Sequence, residues 1–360
     1  MALLADTVDR IVGSGGTGQP GKAIIRDPVA IVPGGAPMRA VAIAHPNVAL
    51  VKYWGKRAAS GNLPATGSLS IVLGGLSTTT TVAFDPALPA DHVILDGHAD
   101  PVVAERVSAC LDLLRREAGV ATRATVESRN DFPTGAGLAS SASGFAALVV
   151  AGVAALGLDL DPQRLADIAR QGSGSAPRSL EGGIVLLQNR GNGTRCEQLA
   201  APADWPLEVV VAVTTTAAKV VGSRAGMAAS EQTSPYYDAW VRTHAGDLEA
   251  ATAAVRNRDF ATLAEIAEHN CLKMHAVMLA TRPPLLYWMP GTVACLQKIG
   301  ELRRSGVPVF FTVDAGPQVK AVCLPGSAAI VAAALAELPG VQAVLHSRLG
   351  EAARVSADAG

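Results

Sequence analysis

Residues 121–158 read ATRATVESRNDFPTGAGLASSASGFAALVVAGVAALGL. The segment passes from an alternating, β-branched run through a loop holding Gly135 and Gly137 into an almost wholly apolar stretch. Alternation predicts a strand, and the long small-residue run predicts a buried helix. That run, Ala142 to Leu158, is broken by Ser143, Gly144, Gly152 and Gly157, and it is shorter than the ~20 residues that cross a bilayer. A glycine loop opening onto a helix that begins with Ser140 and Ser141 gathers backbone N–H groups, the positive end of a helix dipole and hydroxyls, which together cradle an anion. Glycine lets the backbone approach such an anion. The loop is not of the GxxxxGK[ST] type, because the lysine is absent. The glycines alone fit a serine-capped helix after a flexible loop equally well; the serine cluster and the strand-loop-helix order favour anion binding.

On the N-terminal side, RAVAIAH from Met38 and HVILDGH read as strands, and SIVLGGLSTTTTVAF reads as two adjacent antiparallel strands around a Gly-Gly pair. Helical spacing over Ala104 to Ala118 turns Arg115 and Arg116 toward water. On the C-terminal side come a helix at Pro162 to Gln171 and a second small-residue loop, GSGSAPRSLEGG. The strands GIVLL and LEVVVAVTT follow, separated by the polar NRGNGTRCEQLAAPADWP. The remainder predicts helices at Tyr236–His244, Asp259–Leu279, Gly291–Ser305 and Ala328–Leu338, with strands at Val307–Val313, Val319–Leu324 and Val341–Leu345. Strands mixed with packed helices argue for an α+β architecture rather than a doubly wound parallel sheet. Residues 1–37, rich in Gly and Pro, are expected to form a mobile extension with a short strand at Val29–Val32. A boundary near Ala203–Pro206 divides the rest into halves 38–205 and 206–360.

At 360 residues, 49% hydrophobic and 17% charged, the chain is neither collagen-like, nor disordered, nor a disulfide scaffold. Thirty basic against thirty-one acidic residues leave a formal charge of −1, so no global field favours nucleic acid or an acidic membrane as partner. An anionic small molecule must then be held by a local cluster. The five cysteines are scattered, with no CxxC pair, and read as reduced core residues of a cytoplasmic protein. No basic region followed by an apolar core marks a secretory signal.

Three further constellations carry chemistry. NVALVKYWGKR bunches Lys52, Lys56 and Arg57 around Tyr53 and Trp54; a charge run is usually a solvated face, but the ring pair between lysines reads as the wall of a ligand site. The second glycine loop offers Ser173, Ser175 and Arg178, whose planar fork suits carboxylate or phosphate. Asp314 stands where an apolar strand meets Ala315-Gly316-Pro317; alone it is a turn former, although a strand-end carboxylate also suits a base or positioning group. His269, Cys271 and His275 lie on one helix without a shared face and are read as structural.

Taken in order, AHPNVALVKYWGKR, LPATGSLSIVL, LDG, DFPTGAGLASSASGFAAL, ARQGSGSAPRSLEGG, KVVGSRAGM with TSPYY, and FTVDAGP resemble the diphosphomevalonate decarboxylases of the GHMP kinase superfamily. The resemblance runs from about Ala42 to Leu324. It implies a two-domain GHMP kinase fold with an N-terminal half similar to ribosomal protein S5 domain 2, a ferredoxin-like C-terminal half and a cleft between them. It implies an enzyme that uses ATP and Mg2+ to phosphorylate the 3-hydroxyl of mevalonate 5-diphosphate and then expels phosphate and carbon dioxide, giving isopentenyl diphosphate. By the same resemblance Asp314, Lys52 and Arg178 would be catalytic, with Arg178 and Asn47 on the substrate carboxylate and Tyr53, Lys56, Ser173 and Ser175 on its diphosphate. The loop from Pro133 through Gly135, Gly137, Leu138, Ala139, Ser140, Ser141 and Ser143 would wrap the ATP phosphates, Ser140 or Ser141 would meet the metal, and Ser223 and Met227 would line the nucleotide side. A homodimer is implied as well.

The chain departs from the family pattern at Thr66-Gly67-Ser68, Pro177, Gln318 and Gly74-Gly75. Two alternatives therefore stay open: a decarboxylase of the 5-monophosphate, and a GHMP small-molecule kinase that does not decarboxylate.

Overall fold

The computed structural model describes residues 38–57, 60–132, 139–191, 193–217 and 219–357. The expected extension over residues 1–37 and the strand at Val29–Val32 lie outside them.

Three sheets and nine α-helices make up the described residues. The N-terminal half opens with β1 (Met38–Ala44), β2 (Asn47–Val51), β3 (Ser68–Val72), β4 (Thr78–Asp85) and β5 (His92–Leu95). Then come α1 (Pro101–Ala118), β6 (Arg123–Asn130), α2 (Ser140–Ala155), α3 (Pro162–Gly172), α4 (Ala176–Leu180), β7 (Ile184–Arg190) and β8 (Gly193–Ala200). The C-terminal half runs β9 (Glu208–Val213), α5 (Ser223–Thr233), α6 (Tyr237–Arg256), α7 (Phe260–Leu279), α8 (Pro290–Arg304), β10 (Val309–Val313), β11 (Val319–Cys323), α9 (Ala328–Ala336), β12 (Ala343–Arg348) and β13 (Arg354–Val355). Among the described residues only β5 and β6 pair in parallel, so the α+β reading holds.

One sheet, ordered β13-β1-β4-β6-β5, is covered by α2. Every residue of α2 from Phe145 to Ala155 is buried, as its unbroken apolarity requires. A second sheet, β2-β3-β7-β8, shares one apolar core with β9, β10, α6 and α7, and the third sheet, β10-β11-β9-β12, packs its other face on α8 and α9.

Four expectations from the sequence are corrected. The runs around Gly74-Gly75 do not form a hairpin: β3 pairs with β2 and β7, while β4 pairs with β1 and β6. The glycines instead let the C-terminal segment cross, since a Cβ on Gly74 would lie 2.8 Å from the Gly350 Cα, and Gly74 N donates to Arg348 O at 2.8 Å. That crossing carries β13 back to β1 in the N-terminal sheet. The polar stretch after β7 holds a further strand, β8, whose partly exposed edge position hides it from an apolar pattern. Helix α5 went unread because Gly222 to Thr233 is small and polar.

Arg115 does not face water. It is 3% exposed and pairs through both terminal nitrogens with Asp91, the Nη1 to Oδ2 contact being 3.1 Å, while Asp112 accepts at 2.7 Å. Burial alone would raise the Asp91 pKa, but the Arg115 and Ala124 N–H donors outweigh it and hold it below the ordinary carboxylate range. Its folded-state pKa is depressed, so this stabilisation is present above the unfolded value and fades as pH falls through the folded one. Asp91→Asn, leaving Arg115 with Asp112 as its remaining carboxylate, is expected to lower stability by about 1–3 kcal/mol near neutral pH, with a much smaller deficit in strong acid. Denaturant melts of both proteins at neutral and acid pH measure this.

Candidate active site

A cavity of about 440 Å3 opens between the segment after β2, the first turn of α2, the loop into α4, the segment before α5 and the end of β10. Because β2 ends at Val51, the chain delivers Lys52 and Tyr53 straight into it. Lys52 is 1% exposed and held at three points: its backbone N donates to Asn270 Oδ1, and its Nζ to Ala49 O and Asp314 Oδ1, each at 2.7 Å. Asp314 follows β10 in a turn closed by Gly316 N donating to Asp314 O at 2.7 Å. Its Oδ2 lies 3.6 Å from Lys320 Nζ. Burial would raise this carboxyl's pKa, but Lys52, Lys320 and Arg178 outweigh it and keep the group ionised, below the usual carboxylate range.

Arg178, on α4, is 2% exposed. Its Nε donates to Asn47 Oδ1 at 3.2 Å and its Nη1 to Ser68 Oγ at 2.8 Å. Asn47 is fixed in turn by donating to Ser175 O at 3.1 Å and Ser179 Oγ at 2.8 Å. Among the described residues no carboxylate pairs with Arg178. A buried guanidinium held only by neutral oxygens is a site built to receive an anion.

The first turn of α2 and the second glycine loop meet here. Ser141 Oγ is 3.4 Å from Ser173 Oγ, which is 3.1 Å from Ser175 Oγ. Among the described residues no side chain caps α2; its N-cap, Ala139, adopts the left-handed conformation at φ 61°, and the serine-capped reading is set aside. Tyr53 lies over Arg178, 5.6 Å from ring centre to guanidinium carbon, with its hydroxyl filling the space a Gly174 side chain would take. Burial raises its pKa against the pull of Arg178, Arg170 and Arg224, so it keeps its proton to donate.

Among the described residues six cations line the cavity, Lys52, Lys56, Arg106, Arg178, Lys219 and Arg224, against one carboxylate, Asp314. Burial and then the charges of Arg224 and Arg106 lower the Lys56 pKa; its Nζ donates to Asn62 Oδ1 at 2.7 Å. Lys219 Nζ donates to Ser223 Oγ and Ala315 O, both at 3.0 Å. A second cavity of about 270 Å3, walled mostly by apolar residues such as Val93, Val107 and Phe145, shares Arg106, Ser140 and Ser141 with the first.

The structure thus gathers Asn47, Lys52, Tyr53, Lys56, Ala139, Ser140, Ser141, Ser173, Ser175, Arg178, Ser223, Met227 and Asp314 around one space. Pro133, Gly135, Gly137 and Leu138 lie outside the described residues. Ser143 faces away, fully buried, 2.6 Å from Thr78 Oγ1 and donating to Ser140 O at 3.2 Å; it anchors α2 to β4. Sequence reading missed Arg106, Lys219, Arg224, Lys320 and Asn270. Lys219 and Arg224 lie within the quoted KVVGSRAGM, which was their signal; nothing local marks Arg106, Asn270 or Lys320. Cys271 and His275 do share a face of α7: Cys271 Sγ is 3.4 Å and His275 Nε2 3.2 Å from Val313 O. They brace the strand end that carries Asp314. Among the described residues no group of three or more His, Cys, Asp or Glu side chains is placed to hold a metal.

Residues 44–198 match the diphosphomevalonate decarboxylase-like N-terminal domain, and residues 209–351 the mevalonate 5-diphosphate decarboxylase C-terminal domain. The chain belongs to the diphosphomevalonate decarboxylase family. The diphosphomevalonate decarboxylase of Aspergillus fumigatus is 36% identical over 326 residues, covering 84% of this chain and 81% of that one. The human diphosphomevalonate decarboxylase is 34% identical over 328 residues, 83% and 80% of the two chains. The structure of MDDEF in complex with MVAPP, AMPPCP and magnesium superposes with a TM-score of 0.83 at 36% identity, covering 89% of this chain and 99% of that one. The Staphylococcus aureus mevalonate diphosphate decarboxylase gives a TM-score of 0.82 at 33% identity, covering 88% and 98%. The GHMP kinase fold is thereby established.

The departures from this decarboxylase family's pattern fall mostly behind the cavity. Ser68 steadies Arg178, Gly67 O accepts from His244 Nε2 at 2.9 Å, and Gln318 is fully buried with its side-chain oxygen accepting from Thr214 N at 2.7 Å. Pro177 is the second residue of α4, in the first turn, where its missing N–H costs nothing.

Because the Lys56 pKa is lowered, its charge is lost at lower pH than that of a free lysine, and anion affinity in the cavity declines with it. Lys56→Arg keeps its charge across that range. Calorimetry with pyrophosphate is expected to show affinity of the unaltered protein falling about tenfold from neutral to strongly alkaline pH, and the arginine variant's falling markedly less.

Proposed function

We propose that this protein catalyses the ATP-dependent decarboxylation of mevalonate 5-diphosphate to isopentenyl diphosphate. The carrying observation is Arg178: a buried guanidinium that, among the described residues, has no carboxylate paired with it, in the same cavity as the Lys52–Asp314 pair. A kinase of an otherwise uncharged alcohol has no need of a cation reserved for a second anionic group.

The site fits Mg-ATP. The apolar cavity beside α2 suits a nucleoside, the uncapped start of α2 with Ser140 and Ser141 suits its phosphates, and Lys219, Ser223 and Met227 close the nucleotide side. Among the described residues there is no carboxylate cluster at hand, so a hydroxyl of Ser140 or Ser141 would help hold Mg2+ brought in with the nucleotide, in keeping with its habit of retaining water and binding through substrate phosphates. Bound there, Mg-ATP supplies the phosphoryl group that turns a tertiary hydroxyl into a leaving group.

The remaining work belongs to the chain. Asp314, ionised, accepts the hydrogen bond of the 3-hydroxyl and aims its oxygen; the proton passes to it only as phosphoryl transfer removes it from the hydroxyl. Lys52, 2.7 Å from Asp314, offsets negative charge on the moving phosphoryl group. Arg178, supported by Asn47, holds the substrate carboxylate in line. When phosphate departs with the C–O bonding pair, the electron-poor carbon draws the pair of the bond to the carboxylate, forming the alkene and releasing carbon dioxide.

Lys56, Arg106 and Arg224 with Tyr53, Ser173 and Ser175 supply donors enough for a diphosphate, which favours it over the 5-monophosphate. The proposal includes halves 38–205 and 206–360, a homodimer and a cytoplasmic setting. No described helix is long and apolar enough to cross a membrane.

With mevalonate 5-diphosphate and Mg-ATP, ADP, phosphate and carbon dioxide are expected in equal amounts; ADP without carbon dioxide would support the kinase alternative instead. The 5-monophosphate should lose about 100-fold or more in kcat/KM, as expected when two or more charge-assisted contacts go unmade. Asp314→Asn is expected to cut kcat by about 10²–10⁴ while nucleotide affinity stays within about threefold. Activity near the unaltered level would return Asp314 to the role of an ordinary turn former.

A further inference from the structure

Asp314 is gripped from behind as well as from the cavity side. Lys320 stands on β11 opposite Thr312 of β10, 2% exposed among the buried Val319, Ala321 and Val322. It is not part of the cavity wall, so it does not touch a ligand there. Its Nζ lies 3.6 Å from Asp314 Oδ2, while Lys52 holds Oδ1 at 2.7 Å. An ammonium in such a place is expensive unless an anion answers it, and Asp314 is the carboxylate that does. The two lysines approach the carboxylate by different oxygens, so between them they restrain its rotation as well as its charge.

We propose that Lys320 is a positioning residue for the phosphoryl-transfer step, holding the far oxygen of Asp314 so that the carboxylate presents an ionised, fixed edge to the tertiary hydroxyl. The inference rests on the reading of Asp314 as the group that meets that hydroxyl. The charged and titratable groups facing Asp314 are Lys52 after β2, Lys320 on β11, Lys219 before α5, Arg178 on α4, and Cys271 and His275 on α7. Burial raises the Cys271 thiol and lowers His275 to about 3, so neither is charged near neutral pH. Burial opposes ionisation of the carboxylate and the cations outweigh it, and Lys320 is the one among them that lies outside the cavity wall.

The test uses the full chain with Lys320→Met, Lys320→Gln and Lys320→Arg. In the first arm, without ligands, the Asp314 carboxyl is followed by carbon-13 NMR during acid titration and assigned by its loss in Asp314→Asn. Lys320→Met is expected to move its midpoint up by about one pH unit or more, and Lys320→Arg to leave it near that of the unaltered chain. In the second arm, with mevalonate 5-diphosphate and Mg-ATP, Lys320→Met is expected to lose about 10- to 100-fold in kcat, the range for a reacting group misplaced by about an ångström. Both KM values should stay within about twofold, and arginine should restore most of the rate. Lys320→Gln carries both arms if the methionine variant does not fold. An unmoved midpoint overturns the proposal. So does an unchanged kcat, or a loss confined to KM. If the unaltered protein releases no carbon dioxide, the decarboxylase reading fails, and the NMR arm still decides whether Lys320 governs Asp314.

Discussion

The Lys52–Asp314 ion pair is the contact on which the site depends, because its two members come from different sheets. Lys52 leaves the end of β2, and Asp314 leaves the end of β10. Their separation of 2.7 Å is therefore a statement about how the two halves pack. Helix α7 makes that packing specific. Asn270 receives the backbone N–H of Lys52, while Cys271 and His275 sit against the carbonyl of Val313, one residue before the acid. Asn270 is itself steadied by donating to Asp247 at 2.7 Å, and Asp247 also receives Lys273 at 2.8 Å. One helix thus holds both strand ends, and the core it shares with β2, β3, β9 and β10 transmits that registration.

Around this pair the chain concentrates charge that the protein as a whole lacks. With a formal charge of −1 overall, there is no long-range field to draw an anion in, and the attraction is confined to the cavity, where low-dielectric walls strengthen it. The cost is mutual repulsion among Lys56, Arg106 and Arg224 and desolvation of Arg178, visible as lowered pKa values of Lys56, Arg106 and Arg178. Burial is the first cause in each, and a polyanionic ligand relieves both burdens at once.

Much of the fold was readable because its elements obey their periods. The strand over Arg123–Asn130, the apolar α2 and the strands flanking Asp314 all carry unambiguous patterns. Misreadings arose where tertiary context supplied what local pattern lacks. Gly74-Gly75 imitates a hairpin turn, but its glycines make room for another segment's backbone. Arg115 has helix-surface spacing, yet Asp91 draws it inward. Ser143 belongs by spacing to the serine cluster, and the rotation of α2 aims it at β4 instead. Edge strand β8 and helix α5 are too polar to announce themselves.

The local chemistry was determined by the sequence alone: which loops are glycine-lined and face a helix start, which strand ends in a carboxylate, and where lysine and arginine gather beside small residues. These are properties of neighbours along the chain, fixed by backbone geometry and side-chain size. Tertiary structure alone decided that Arg178 would have neutral hydrogen-bond partners and, among the described residues, no carboxylate paired with it, that Arg106, Lys219 and Arg224 would join the same cavity, and that Lys320 would meet Asp314 from behind. Each of those facts depends on distances between residues far apart in the chain, and such distances come from the packing of whole sheets and helices, which no local period encodes.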